Sequence, residues 1–357
     1  MGKIRVLICG GGFGGLAAAS KLSQTDFDIT LVDPKDYFEL NFISPRAIVD
    51  PPTAKNMLVQ KYSSIKTIGK FIQARIDELT DTHALLSNGE KVEFDYAVIA
   101  TGSRYADSAF KGTVTSAEER LKEMAELHDK VMNSKSIVIA GGHYVGVEMA
   151  AEIADLPSPP PTTIVQSHCA LMDASPPKTQ LYVKNFMEKK NIKVLLDHRL
   201  DLEDGVYKQN GAPLEPQPDL VFWAIGFKVN SDFVGKGLGE DVLEKNGAVK
   251  VDLTLRVNGH PKIFCVGDAS NLDEYKLAYL SMQHGFLVAK NLKALKKNPE
   301  AKLTEWKLYG GLPMFYLTLG KKKGIMVVNK KTHTTLVPTA VMGMIAKGKM
   351  TEGKLGL

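Results

Sequence analysis

The chain has 357 residues, 44% of them apolar and 24% charged, the composition of a soluble globular protein with room for two or three cores. No uncharged apolar run approaches the ~18 residues of a membrane-spanning helix, and the first residues lead straight into a strand with no cleavage-site pattern. Cys9, Cys169 and Cys265 are far apart and form no CxxC, which argues against a disulfide framework or a zinc ribbon and fits a reducing compartment. The net charge is +5, yet residues 307–357 carry nine lysines and one acid, net +8, and the rest sums to −3. A lysine-rich end mixed with apolar residues suits an anionic membrane surface. It suits nucleic acid less well, since it has no arginine, and a solvated lysine face gives the same charge.

Residues 4–9 form a short apolar run that predicts a buried parallel strand. The turn Gly10-Gly11-Gly12-Phe13-Gly14-Gly15 follows, then a helix over 13–23 and a strand over 28–33 ending at Asp33. Strand, glycine turn, helix, strand and acid stand in the order of a dinucleotide-binding βαβ unit. Gly10 permits the tight turn, Gly12 lets the backbone approach a pyrophosphate, and Gly15 lets the helix pack on the strand. The phosphates belong at the positive helix N-terminus, and Asp33 is placed to accept hydrogen bonds from the adenosine ribose. A buried strand over 96–100 then ends at Thr101-Gly102-Ser103.

A second unit opens with Ser116 and Glu119, a capping box for a helix reaching about residue 131. Next come a strand over 136–140, the turn Gly141-Gly142-His143-Tyr144-Val145-Gly146 and a helix over 146–154. After the proline-rich connection 156–161, strands are predicted at 163–166, 192–196 and 220–224, the last closing at Gly226, with a helix over 181–190. His143 replaces the middle glycine of the fingerprint, and its β-carbon takes space a pyrophosphate would use. Either the nucleotide sits farther out or the imidazole touches it. Glu148 and Glu152 are one turn apart on one helix face. One of them is expected to bind the nicotinamide ribose or face the flavin edge, the alternative being ordinary solvated glutamates. The strand ending Gln166-Ser167-His168 lacks the acid that would hold a 2′-hydroxyl and repel a 2′-phosphate, so NADH and NADPH are both acceptable.

Residues 262–266 return to the first pattern and lead to Gly267-Asp268. Asp268 is expected on the ribitol hydroxyls of FAD, with capping of the next helix as its other role. That helix, over 275–295, would aim its N-terminus at the flavin N1 and C2 carbonyl. The fold class is α/β: two Rossmann-like dinucleotide-binding domains in a glutathione-reductase-like arrangement, plus a small C-terminal α+β domain. The FAD domain is discontinuous, at 1–112 and 237–298, around an NAD(P)H domain at 113–236, and the C-terminal domain is 299–357. No cysteine pair is placed to relay electrons, so the reduced flavin passes them directly to an acceptor, most simply a quinone or O₂.

Together these residues resemble the apoptosis-inducing-factor-like flavoproteins, nearest those of the ferroptosis-suppressor type, with type II NADH dehydrogenases more distant. The resemblance spans residues 6–295 and rests on GGGFGGLAAASKL, LVDPKDYFELN, IATGS, GVEMAAEI, AIGFKVN, FCVGDAS and KLAYLSMQHG. It implies an NAD(P)H:quinone oxidoreductase that generates quinol and suppresses lipid peroxidation. The alternatives are an NAD(P)H oxidase and a redox-sensing flavoprotein whose basic tail binds nucleic acid. It implies that Phe38, Asn41 and Arg46 surround the isoalloxazine and that residues 276–286 flank the quinone pocket. Glu148, Lys276 and His284 are then the catalytic candidates. The full cofactor-binding set is Gly10, Gly12, Phe13, Gly14, Gly15, Asp33, Asn41, Arg46, Thr101, Gly102, Gly141, Gly142, His143, Gly146, Glu148, Gln166, Gly226, Gly267, Asp268 and Ala278, with no metal. A membrane-facing C-terminal unit is also implied, using the apolar stretches 308–319 and 336–346. The protein would be cytoplasmic and peripherally attached to a lipid droplet, the plasma membrane or the mitochondrial outer membrane, and a homodimer is compatible. Gly2 abuts the first strand and Val6 stands where acylation needs Ser or Thr, so no myristoylation is expected.

Overall fold

The computed structural model describes residues 2–308, 315–328 and 331–335. The lysines at 330, 347, 349 and 354 and the apolar stretch 336–346 lie outside the described residues. The larger sheet runs Arg256–Val257, His260–Cys265, Tyr96–Ile99, Ile4–Cys9, Phe27–Asp33, Lys70–Gln73. The last five strands are mutually parallel, and only Arg256–Val257 is antiparallel to its neighbour. Parallel strands covered on both faces must be apolar on both. Accordingly Val6 and Ile8 enter one core while Leu7 and Cys9 enter another. Cys265 pairs with Ile99, and Ile99 with Cys9, so chain from both sides of the second unit completes this sheet.

The second sheet runs Lys193–Leu196, Thr162–Gln166, Ile137–Ala140, Leu220–Trp223, all parallel. The antiparallel pair Ser103–Tyr105 and Phe227–Val229 links the two units. In the C-terminal part, Phe315–Leu319, Lys323–Val328 and Lys331–Thr335 form an antiparallel meander. A further meander, Ile76–Leu79, His83–Leu86 and Lys91–Glu93, belongs to a stretch where the sequence pattern defined no elements. Two helix starts differ from expectation for local reasons. The helix Pro177–Lys189 begins earlier because a proline at its start is already in helical φ and has no N–H to satisfy. The helix Ala278–Lys297 begins later because Leu277 is extended, and the Lys276 ammonium donates to the carbonyls of Ser270 and Leu272 at 2.9 and 3.0 Å.

The helices Phe13–Lys21 and Ala278–Lys297 touch backbone to backbone. A β-carbon on Gly285 would lie 2.3 Å from the Gly14 carbonyl oxygen, so this contact requires glycine. Across the molecule, Arg46 in the helix Ser44–Val49 donates from Nε to Glu152 Oε2 at 2.8 Å and from Nη2 to Glu152 Oε1. Nη2 also donates to the Gly320 carbonyl at 2.9 Å. Both side chains are buried. One guanidinium thus joins the first unit, the helix Tyr144–Ile153 of the second and the turn of the C-terminal hairpin. Arg46→Ala is expected to cost about 3–5 kcal/mol, because it strands the Glu152 carboxylate in the interior. Denaturant unfolding followed by tryptophan fluorescence measures this; a loss below about 1 kcal/mol, typical of exposed pairs, would refute it.

Candidate active site at two glycine turns

The first turn is built on close approach. Gly10 has φ +102°, and a β-carbon there would lie 2.6 Å from the Ala100 carbonyl oxygen. One on Gly15 would lie 2.0 Å from the Gly10 oxygen. The Gly11 N–H donates to Asp33 Oδ2 at 2.7 Å, and the Tyr62 hydroxyl donates to the Gly11 carbonyl at 2.9 Å. Burial pushes the Asp33 carboxyl above its ordinary value, while Lys35 and the Gly11 amide pull it down. At Gly12 a β-carbon would meet nothing nearer than Ala100 oxygen at 4.0 Å. No side chain caps the helix that starts there, which leaves its first N–H groups available to an anion. Phe13 turns away into an aromatic group, edge-on to Phe38 at 5.0 Å and stacked on Phe42 at 5.9 Å. Asn41 begins the short turn Asn41–Ile43.

Beside this cradle, Thr101 donates to the Asn230 carbonyl at 2.6 Å and Gly102 accepts from the Asn230 N–H at 2.9 Å. Gly102 has φ +61°. Ser103 donates to Asp268 Oδ2 at 2.7 Å, which joins the two segments that flank a flavin in the sequence reading. The Lys111 ammonium lies 3.6 Å from where a Gly102 β-carbon would be. Burial pushes it down, with Asp268, Glu39 and Asp33 partly offsetting this. A half-buried cation between the Asp33 and Asp268 ends fits a pyrophosphate, and a lone lysine in Ala109-Phe110-Lys111-Gly112 was the only sequence signal for it. Ala278 is the first residue of the long helix, and no side chain caps its N-terminus. His284 is 1% exposed. Its Nδ1 accepts from the Gly267 N–H at 3.2 Å, which leaves the proton on Nε2. Nε2 lies 2.8 Å from Glu274 Oε1 in poor hydrogen-bond alignment, and the Trp306 ring packs edge-on at 4.4 Å. His284 therefore stands behind Gly267, in the wall of the cradle.

The second turn repeats the first. Gly141 has φ +103°, with a β-carbon position 2.3 Å from the Ala224 oxygen, and Gly146 approaches the Gly141 oxygen as Gly15 approaches that of Gly10. The Gly142 N–H donates to Gln166 Oε1 at 2.9 Å. Gln166 thus occupies, without charge, the place Asp33 has in the first turn. The Met172 N–H donates to the Gly142 carbonyl at 2.9 Å, as the Tyr62 hydroxyl does to Gly11. His143 has φ −90° and ψ −164°, close to the −74° and −169° of Gly12. Histidine carries no backbone strain here. Its ring lies edge-on to Tyr144 at 4.1 Å, and its Nε2 is 3.9 Å from Asp173, whose other oxygen is 2.7 Å from His168 Nδ1. Burial holds the His143 pKa below its ordinary value. Gly226 has φ +95° with open space around it.

Glu148 lies one turn into the helix that leaves this cradle. Its Oε1 accepts from the Thr318 N–H at 3.0 Å and hydroxyl at 2.9 Å. Burial pushes its pKa up to about 7, against the pull of Thr318 and Arg46. Glu152, the other candidate on this face, is committed to Arg46, and both of Arg46's donating nitrogens are committed in turn. All three cysteines are free, and burial raises the thiols of Cys9 and Cys265 far above their ordinary value.

The family model of pyridine nucleotide-disulphide oxidoreductases matches residues 4–285. The chain belongs to that family. It is an FAD- and NAD(P)H-dependent flavoprotein oxidoreductase. It is 32% identical over 381 residues to apoptosis-inducing factor homolog B of Dictyostelium discoideum, covering 99% of this chain and 94% of that protein. It is 30% identical over 337 residues to ferroptosis suppressor protein 1 of Homo sapiens, covering 91% and 88%. Its fold superimposes on NDH2 from Plasmodium falciparum solved in complex with NADH, with TM-score 0.77 at 13% identity over 99% and 96% of the two chains. The sulfide:quinone oxidoreductase of Aquifex aeolicus gives TM-score 0.77 at 19% identity over 99% and 91%. Among the described residues, no helix is long and apolar enough to cross a membrane.

The duplicated turns give a clean test within this family. Gly141→Ala places a methyl group against the Ala224 carbonyl and leaves the first cradle untouched. The variant is expected to purify yellow, with flavin bound, yet to need at least about tenfold more NADH for half-maximal bleaching. Flavin absorbance against NADH concentration measures both, and normal bleaching would show that the second turn does not hold the donor.

Proposed function

We propose that this protein passes two electrons from NADH or NADPH, by way of its FAD, to a quinone at a membrane surface. One observation carries the reading: the three cysteines are free, and Cys9 and Cys265 are sealed in the sheet with their thiols protonated. No thiol pair takes the electrons onward, so the acceptor takes them directly. FAD, when bound, supplies the two-electron centre between donor and acceptor.

The chain supplies geometry and field. The N–H groups at Gly12 and the Lys111 ammonium hold the pyrophosphate. Asp33 and Asp268 accept from the sugar and ribitol hydroxyls. The second cradle, with His143 at the start of its helix, would orient the nicotinamide nucleotide, and neutral Gln166 would admit a ribose with or without a 2′-phosphate. Glu148, when ionised, accepts a hydrogen bond from the nicotinamide ribose and fixes its distance from the flavin ring. Tyr316, exposed and two residues before Thr318 on the same strand face, offers an aromatic surface for an apolar headgroup. Lys321, Lys322 and Lys323 are exposed at the hairpin turn and suit an anionic lipid surface. A quinol released there traps radicals in lipid, which is suppression of lipid peroxidation.

Steady-state oxidation of NADH and NADPH by the holoprotein tests the acceptor. Turnover is expected to rise with short-chain ubiquinone or menadione while oxygen uptake falls. Oxygen uptake that quinone leaves unaltered would make the protein an oxidase instead. Lys111→Met is expected to weaken FAD binding about tenfold or more, the loss of one charge-assisted contact. Flavin release on serial dilution reads this, and wild-type retention would remove Lys111 from the site.

A further inference from the structure

Thr318 belongs to the strand Phe315–Leu319, 170 positions after Glu148 in sequence. Its N–H and its hydroxyl both donate to Glu148 Oε1. Two donors on one carboxylate oxygen favour the charged form over the neutral one. Three of the strand's other residues serve packing: Phe315, Leu317 and Leu319 are buried in the core, and Phe315 meets the Tyr144 ring edge-on at 4.9 Å. The Thr318 side chain lies on the opposite strand face to these. Valine would fill the same shape, so the hydroxyl is explained by its bond.

The hairpin that carries Thr318 is anchored at two neighbouring residues of its turn. Arg46 holds the Gly320 carbonyl, and the Lys321 N–H donates to Asp155 Oδ2 at 2.6 Å. Glu148, Glu152 and Asp155 follow one another at i, i+4 and i+7, one face of the helix and its final turn. Two of the three acids dock the hairpin, directly or through Arg46, and these anchors set where Thr318 meets the third. The groups acting on Glu148 are accounted for by element. Glu152 on its own helix disfavours its charge, while Arg46 from Ser44–Val49 and Thr318 favour it. Tyr105, on the strand Ser103–Tyr105, feels the Glu148 charge in turn.

We propose that Thr318 is a positioning residue of the oxidoreductase reaction: from the C-terminal hairpin it holds the Glu148 carboxylate ionised and aimed at the donor nucleotide. This rests on Glu148 being the carboxylate that binds the donor. The third unit is then part of the active site as well as a cover for it. Thr318→Val keeps the backbone donor and the shape and removes only the hydroxyl.

The test is the pH dependence of kcat/KM for NADH, from about pH 5.5 to about pH 8.5, in the flavin-loaded enzyme. A carboxylate needed in its charged form gives a limb that rises with pH through its ionisation. Thr318→Val is expected to move that limb upward by roughly one pH unit, with KM at neutral pH raised more than kcat lowered. Thr318→Ser is expected to restore the wild-type limb. Thr318→Ala must give the same upward shift, which covers the case in which the valine variant fails to load flavin. Glu148→Gln is expected to abolish the limb. If Glu148→Gln abolishes it but the Thr318 variants lose activity equally at all pH values, Thr318 is only structural and the proposal fails. If the limb survives Glu148→Gln, the reading of Glu148 itself is wrong and the proposal falls with it.

Discussion

The buried pair between Arg46 and Glu152 is the contact on which the arrangement of the active site depends. There the first unit, the helix of the second and the C-terminal hairpin are held by a single group. Burying two charges is costly, and an apolar replacement of the same volume often stabilises a protein more. What the charges add is direction. A bidentate guanidinium accepts only one orientation of its carboxylate, so the helix Tyr144–Ile153 has a fixed rotation relative to Ser44–Val49. That rotation decides that Glu148, one turn earlier, faces Thr318.

The two glycine turns then follow a single rule. Each needs a left-handed first glycine against a neighbouring carbonyl and a last glycine against the first. Each also ties its second residue to the end of the next strand, through Asp33 in one and Gln166 in the other. Chemistry diverges where that rule is silent. Position 12 is glycine and position 143 histidine, and both sit in extended backbone, the histidine ring packed on Tyr144. The duplicated frame thus repeats one backbone geometry in two different polar surroundings.

Much of this was legible in the sequence because it is local. A run such as Ile4–Cys9 followed by glycines fixes strand, turn and helix within a few residues, and the pattern returns at 262–268, whose strand joins the same sheet. Long-range pairings were not legible. Nothing in the sequence near Arg46 points to Glu152, 106 positions away, nor near Thr318 to Glu148. Glu152 looked like a solvated helix residue and is instead 1% exposed. Tyr62, Leu171 and Lys111 crowd the turns from loops whose paths no periodicity encodes. His284 has the expected helix and a buried position behind Gly267, since helix periodicity gives the face of a residue and not what that face meets.

The central claim is that electrons leave the flavin without passing through a thiol. An anaerobic absorbance titration tests it most directly. Stoichiometric NADH or NADPH should bleach the flavin bands, and one equivalent of quinone should restore them, with the one exposed cysteine, Cys169, alkylated beforehand as well as free. Bands that stay bleached in the presence of quinone, or that recover only while Cys169 is unmodified, would contradict the account.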